Sequence, residues 1–155
     1  MKTWSFKLKN IPKEVSKKLE LELSAIGGFV FNTNSTKDNL LTFKMRKRIL
    51  YPWYIVFQNW TIVNGELFKN DTENSTDVEI TFNQHFLIKF IIFTHIILGL
   101  GFLAAIISGI SINPSMYFLG GTVFALGLVL WVVLQKKIEK DIQKYKALIT
   151  KILEP

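Results

Sequence analysis

The hydropathy pattern of the chain is dominated by one long block, residues 90–135, that contains no Asp, Glu, Lys or Arg. Asn113 and Pro114 interrupt this block and favour a turn. The segments on either side, 90–110 and 116–134, are each about 30 Å long as helices, which matches the hydrocarbon thickness of a bilayer. The pattern therefore predicts a two-helix transmembrane hairpin, with a single re-entrant or very long helix as the alternative.

Basic residues flank the charge-free block at both ends and are absent from its central turn. Lys89 precedes the first span, and Lys136, Lys137 and Lys140 follow the second one. Short loops that carry excess Lys and Arg stay on the cytoplasmic side of a membrane. Both termini are therefore predicted to be cytoplasmic.

The first 85 residues begin with a strand and a helix. Trp4, Phe6 and Leu8 alternate with polar residues, which predicts a half-buried strand. A helix is predicted from Pro12 to Gly27, because apolar residues recur at helical spacing behind a proline in the first turn. The apolar residues of this helix are Val15, Leu19, Leu23 and Ile26.

After the helix, the pattern predicts only antiparallel strands. Strands are expected over residues 29–31, 41–46, 54–63, 66–69 and 78–82. Asn64 and Gly65 are expected to form a tight hairpin turn, and residues 71–77 a polar loop. Residues 1–85 are thus predicted to form an α+β cytoplasmic domain in the order strand, helix, antiparallel strands.

The segment behind the block, residues 136–155, is predicted to be a C-terminal amphipathic helix. Its apolar residues fall in one narrow stripe, and its lysines lie elsewhere. Because residues 86–135 return the chain to the cytoplasmic side, we expect this helix to pack on the α+β domain. A basic helix lying on lipid headgroups is the alternative. The stripe consists of Ile138, Ile142, Tyr145, Ile149 and Ile152.

Three segments carry a resemblance to known sequences. Residues 57–63, the pair Asn64-Gly65 and residues 76–80 lead through paired strands into the first span. This order, together with the returning amphipathic helix, resembles small uncharacterised bacterial two-span membrane proteins with an N-terminal α+β domain. The resemblance implies location in a bacterial inner membrane, and it transfers no active-site residue.

Small residues in the two spans are candidates for helix contacts. Gly101, Ala105 and Gly109 recur every four residues in the first span, and Gly120 and Gly127 lie in the second. Small side chains allow close backbone approach in lipid. The contacts are expected either within the hairpin or with another membrane subunit, a further copy of the chain included.

His95 is the one ionisable residue inside the spans. Such a residue is a functional candidate, and a proton-handling role in an oligomer is one hypothesis for it. Metal or haem binding needs further ligands, and the block supplies none. A neutral His95 bonded to a backbone carbonyl or a neighbouring subunit is therefore the favoured interpretation.

The charge of the chain suits an anionic partner. The net charge is +7 and the pI is near 9.6, which is typical of proteins that bind nucleic acid or anionic lipid. For a membrane-tethered domain we expect lipid headgroups and no nucleic acid. A basic–aromatic patch of Lys44, Arg46, Arg48, Trp53 and Tyr54 is the candidate surface, although a solvated strand face beside core aromatics explains the same residues.

Catalytic signatures are missing from the sequence. It contains no Cys, no phosphate-binding glycine loop, and neither a G-x-S-x-G nor an H-E-x-x-H motif. No cofactor or metal is therefore expected. The sequence predicts a non-enzymatic accessory or scaffold subunit of a larger membrane assembly. The alternative is a membrane-tethered domain that binds a lipid or another apolar ligand.

Overall fold

A computed structural model describes residues 2–37, 39–48, 58–70, 75–109 and 113–153. Five antiparallel strands form one sheet in the order β1-β5-β4-β3-β2. The first strand in the chain therefore lies at one edge and pairs with the last, from Lys2↔Phe82 to Leu8↔Thr76. The strands are β1 (Lys2–Leu8), β2 (Phe29–Lys37), β3 (Leu40–Lys47), β4 (Thr61–Asn70) and β5 (Ser75–Gln84).

Helix α1 spans Pro12–Ile26 and confirms the predicted helix. Pro12 occupies the first turn, where its missing N–H has no partner to lose. Gly27 ends the helix with φ +72°, and its N–H donates to the carbonyl of Leu23. Glycine adopts this left-handed backbone without the steric cost that a Cβ brings. Leu19 and Leu23 face the sheet and are fully buried.

The turn predicted at Asn64 and Gly65 is wrong. Both residues lie inside β4, where Gly65 pairs with Phe43 on one side and Ile80 on the other. A Cβ on Gly65 would lie 2.1 Å from the ring of Phe43. The Phe43 ring lies across the backbone of Gly65 and leaves no room for a side chain there. Glycine inside a strand often marks such a close approach.

The observed bounds of β4 and β5 also differ from the predicted strands and loop around them. Of the predicted strand over 54–63, residues 58–60 precede β4, which begins at Thr61, and residues 54–57 lie outside the described part of the chain. β5 begins at Ser75, so the last residues of the predicted 71–77 loop belong to a strand. Residues 75–77 pair with the end of β4, from Asn70↔Ser75 to Phe68↔Asp77, and this pairing satisfies their backbone groups.

Two long helices follow the sheet. Helix α2 spans Phe86–Ile107 and α3 spans Pro114–Leu153. Residues 116–134 and 136–155 are predicted as two elements, whereas α3 continues from the first into the second without a break and extends to Leu153. Residues 128–153 contain neither Gly nor Pro, so nothing in this stretch ends or kinks the helix.

One face of the sheet carries the main core. α1 and the C-terminal half of α3 pack on this face, and the opposite face carries no helix in the described residues. The stripe predicted along the C-terminal segment supplies the contribution of α3. Central members of this core are Leu19, Leu67, Ile80, Tyr145 and Ile149.

The apolar helix pair, α2 with residues 114–134 of α3, has a different environment. Both helices are long and apolar enough to cross a membrane. In the most apolar stretch of each helix, only 11% of the residues of α2 and 17% of those of α3 are buried. A core helix of a soluble protein would be mostly buried, so these helices present apolar surface outward. Such a large exposed apolar surface is typical of a membrane or protein interaction site.

Candidate functional site

Three glycines allow the two apolar helices to approach closely. A Cβ on Gly120 would lie 2.9 Å from Cβ of Phe102, and a Cβ on Gly127 would lie 3.1 Å from Cβ of His95. The third glycine, Gly99, is absent from the sequence-based candidates. Its Cβ would lie 2.7 Å from the backbone of Phe124, so it makes the closest backbone approach of the three.

The burial pattern of α2, which only the structure shows, accounts for Gly99. The buried positions of α2 are Ile88, Ile92, Gly99 and Ile106, which recur at spacings of four and seven residues. This is the repeat of a helix that packs against one partner along a single seam. Gly101, the first of the small residues predicted at every fourth position, lies on the opposite side of the helix.

Two of the other residues predicted as an interface in the first span, Gly101 and Gly109, make no close contact with α3. A Cβ on Gly101 would meet nothing within 4 Å, and Ala105 is half-buried. Gly109 lies beyond the end of α2, has φ +72° and donates its N–H to the carbonyl of Ile106. Its role in the fold is to end the helix, as glycine commonly does.

His95 is held by its own helix. Its Nδ1 lies 2.8 Å from the carbonyl oxygen of Ile91, one turn earlier. Because the carbonyl only accepts, this contact places a proton on Nδ1. Among the described residues, no group of three His, Cys, Asp or Glu side chains is placed to hold a metal ion.

An apolar cluster joins the sheet to the helix pair. Trp60, Ile88, Ile92 and Leu134 are buried together at this junction. His85 links β5 to α2. Its backbone N–H donates to the carbonyl of Trp60 at 2.8 Å, and its imidazole Nδ1 accepts from the backbone N–H of Leu87 at 3.2 Å. The first turn of α2 is thereby fixed to the end of the sheet.

Polar contacts at the same level tie α3 to the sheet. The hydroxyl of Tyr145 accepts from the N–H of Lys47 at 3.1 Å and donates to the carbonyl of Thr61 at 3.5 Å. The ammonium of Lys137 donates to the carbonyl of Gln58. α3 thus binds the ends of β3 and β4 through side chains from two of its turns.

Burial changes the ionisation of several groups at this junction. It raises the pKa of Tyr145 to about 12, raises the pKa of Asp141, and lowers the pKa of Lys137. The pKa of His85 is lowered, first by burial and then by the positive charges of Arg46 and Lys44. The junction therefore disfavours additional charge, as expected where polar groups leave water.

The predicted basic–aromatic patch is described only in part. Lys44 is exposed and Arg46 half-buried on the sheet face that carries no helix, while Arg48 follows β3 and donates its N–H to the carbonyl of Gly28. Trp53 and Tyr54 lie outside the described residues. The basic half of the patch lies toward the junction, because Arg46 pairs with Ile62 near the start of β4.

Comparison with known proteins finds no matching family model, no matching characterised protein and no matching solved structure.

Proposed function

We propose that this chain is a non-enzymatic accessory or scaffold subunit of a larger membrane protein assembly in a bacterial inner membrane. The observation that carries the proposal is the continuity of α3, which is at once an apolar helix and a core element of the sheet domain. A helix shared in this way holds the sheet at a fixed height and orientation relative to the membrane. Such rigid presentation suits a subunit that positions other proteins.

The charge distribution supports an orientation with the sheet domain and both termini in the cytoplasm. Lys89, Lys136, Lys137 and Lys140 lie at the sheet end of the two helices, and residues 90–135 contain no Lys or Arg. Excess Lys and Arg near the ends of spans is retained on the cytoplasmic side. The basic end also suits anionic lipid headgroups.

The outward side of α2 offers a surface for a second membrane protein. Gly101 lies about 200° around the helix from Gly99, at 100° per residue. Since Gly99 faces α3, Gly101 faces away from it, where a Cβ would meet open space. Ala104 and Ser108 are exposed on the same side. Small residues there allow a partner helix to approach closely.

The filled core counts against the alternative function, an apolar ligand held between sheet and helices. Leu19, Leu67, Ile80 and Ile149 meet there with no exposed surface. They belong to one continuous cluster that includes both helices and the central strands. A ligand in this position would have to displace packed side chains.

Co-purification tests the proposal. The full chain, expressed at native level in its host, is extracted in mild detergent, and bound proteins are identified by mass spectrometry. We expect at least one other integral membrane protein in stoichiometric amount. Replacing Gly101→Leu and Ala105→Leu together should reduce its recovery about tenfold or more, which corresponds to about 1.4 kcal/mol of binding free energy.

The control is Ala125→Leu, which enlarges an exposed position of α3 as Ala105→Leu enlarges a position of α2, and it should leave the partner bound. Circular dichroism of each variant checks that the helices are retained. Recovery of the chain alone, or only with further copies of itself, would contradict the proposal. Equal recovery of the partner with all variants would contradict the assignment of its contact to α2.

A further inference from the structure

A groove of about 370 Å³ runs between α2 and α3, immediately above the junction with the sheet. Its walls are mostly apolar and include Ile92, Ile96, Leu128 and Trp131. Along α2 the lining extends from Lys89 to Ile96, about 10 Å of helix axis. This volume lies within the range of small-molecule binding pockets, which are typically apolar clefts with a few polar groups.

The polar groups of the groove lie at the end nearest the sheet. Gln84, Lys89 and Gln135 form this mouth, one from β5, one from α2 and one from α3. Gln84 is half-buried and Gln135 is exposed, so the amide of Gln135 can donate to a ligand that accepts hydrogen bonds.

Lys89 is the charged side chain among the described residues that line the groove. Glu139, one turn beyond Gln135 on α3, is paired with Lys2 at 2.8 Å. The ammonium of Lys137 is bound to the carbonyl of Gln58, and Lys89 is exposed and lines the groove. An occupant with an apolar body and an anionic end matches this arrangement.

We propose that the groove binds one anionic phospholipid of the bilayer. An acyl chain lies between α2 and α3 against Trp131 and Leu128, and the phosphate contacts the ammonium of Lys89. The exposed amide of Gln135 donates to an oxygen atom of the headgroup region. The proposal rests on the membrane location of α2 and α3 that the proposed function includes, and it does not depend on a protein partner.

Native mass spectrometry of the full chain in mild detergent tests the site. The protein is delipidated and then offered phosphatidylglycerol and phosphatidylcholine in equal amounts. We expect one lipid per chain to be retained, with phosphatidylglycerol about fivefold or more in excess. That ratio is what one basic residue contributes at an anionic surface.

Charge variants separate the groove from general surface attraction. Lys89→Gln should bring the ratio of the two lipids close to one, and Lys89→Arg should preserve the preference. Lys136→Gln removes the same charge from an exposed neighbouring position that does not line the groove, and it should preserve the preference. Equal losses in Lys89→Gln and Lys136→Gln would overturn the proposal.

Shape variants test the acyl-chain part. Leu128→Trp fills the groove and should remove the retained lipid, whereas Leu126→Trp places the same side chain on an exposed position outside it. Retention of the lipid by both variants, or no preference for the anionic headgroup in the unaltered chain, would overturn the proposal. Alkaline washing of the host membranes tests insertion separately, so failure of the lipid site is distinguishable from failure of the membrane location.

Discussion

In the sheet domain most large apolar side chains are buried or partly buried, whereas in the apolar helix pair most of them face outward. Leu67 and Ile149 of the domain have no exposed surface, while Phe118 and Ile107 of the pair are 80% and 83% exposed. Burial of such side chains is the main stabilising contribution in a water-soluble domain. The helix pair can gain little from it within the chain and leaves this surface for lipid or protein.

The contacts that hold each region together differ for the same reason. The domain is closed by bulky side chains that interdigitate between the sheet and two helices. The pair is closed by glycines that bring backbones together, with Gly99 against Phe124 and Gly120 against Phe102. Where the surroundings are as apolar as the side chains, close packing replaces water exclusion as the source of association.

Truncating a leucine to alanine in each of the two regions should give the largest difference in stability. Leu67→Ala leaves a cavity in the sheet core and should lower stability by about 2–5 kcal/mol. Leu126→Ala, at a position 51% exposed, should change stability by less than about 0.5 kcal/mol. Thermal unfolding of the full chain in detergent, followed by circular dichroism, measures both. Similar effects of the two changes would show that the helix pair is packed like a core.

Adding one methyl group to either of two neighbouring glycines in α2 should give a smaller contrast. Gly99→Ala places its Cβ against the backbone of Phe124 and should destabilise the pair by about 1–3 kcal/mol. Gly101→Ala meets no atom within 4 Å and should stabilise α2 by about 0.5–1 kcal/mol. The same unfolding measurement applies, and a reversed order would place α3 on the other side of α2.

The elements of the domain that depend on local pattern were predictable. The limits of α1 followed from Pro12 and Gly27, and the alternation in β1 from Trp4, Phe6 and Leu8. The pairing of β1 with β5 was not predictable in this way, because it joins residues more than 60 positions apart. Local pattern carries no information on which distant strand completes an edge.

The turn predicted at Asn64 and Gly65 is wrong for the same reason, because the outcome depends on pairing between distant strands. Locally the pair is a strong turn signal, yet Gly65 is needed where the Phe43 ring crosses its backbone. Only the register between β3 and β4 places these two residues together. At the candidate sites, the residue types in the spans were evident, but which glycines face α3 depended on the rotation of α2.

The smallest effect is expected at the junction between the two regions, where Asp141 is buried and its pKa is raised by that burial. A carboxyl with a higher pKa in the folded state binds more protons there than in the unfolded chain, so its contribution to stability falls as the pH rises from about 4 through the folded pKa. Asp141→Asn should therefore raise the unfolding midpoint at pH 7, and the gain should shrink toward pH 4.

Glu139→Gln is the opposite control. A hydrogen bond from exposed Lys2 lowers the pKa of Glu139, so the loss of its carboxylate should be slightly destabilising at pH 7. If Asp141→Asn lowers the midpoint at pH 7 instead, the ionised carboxylate contributes to the attachment of α3, and the junction is held by charge as well as by the Trp60 cluster.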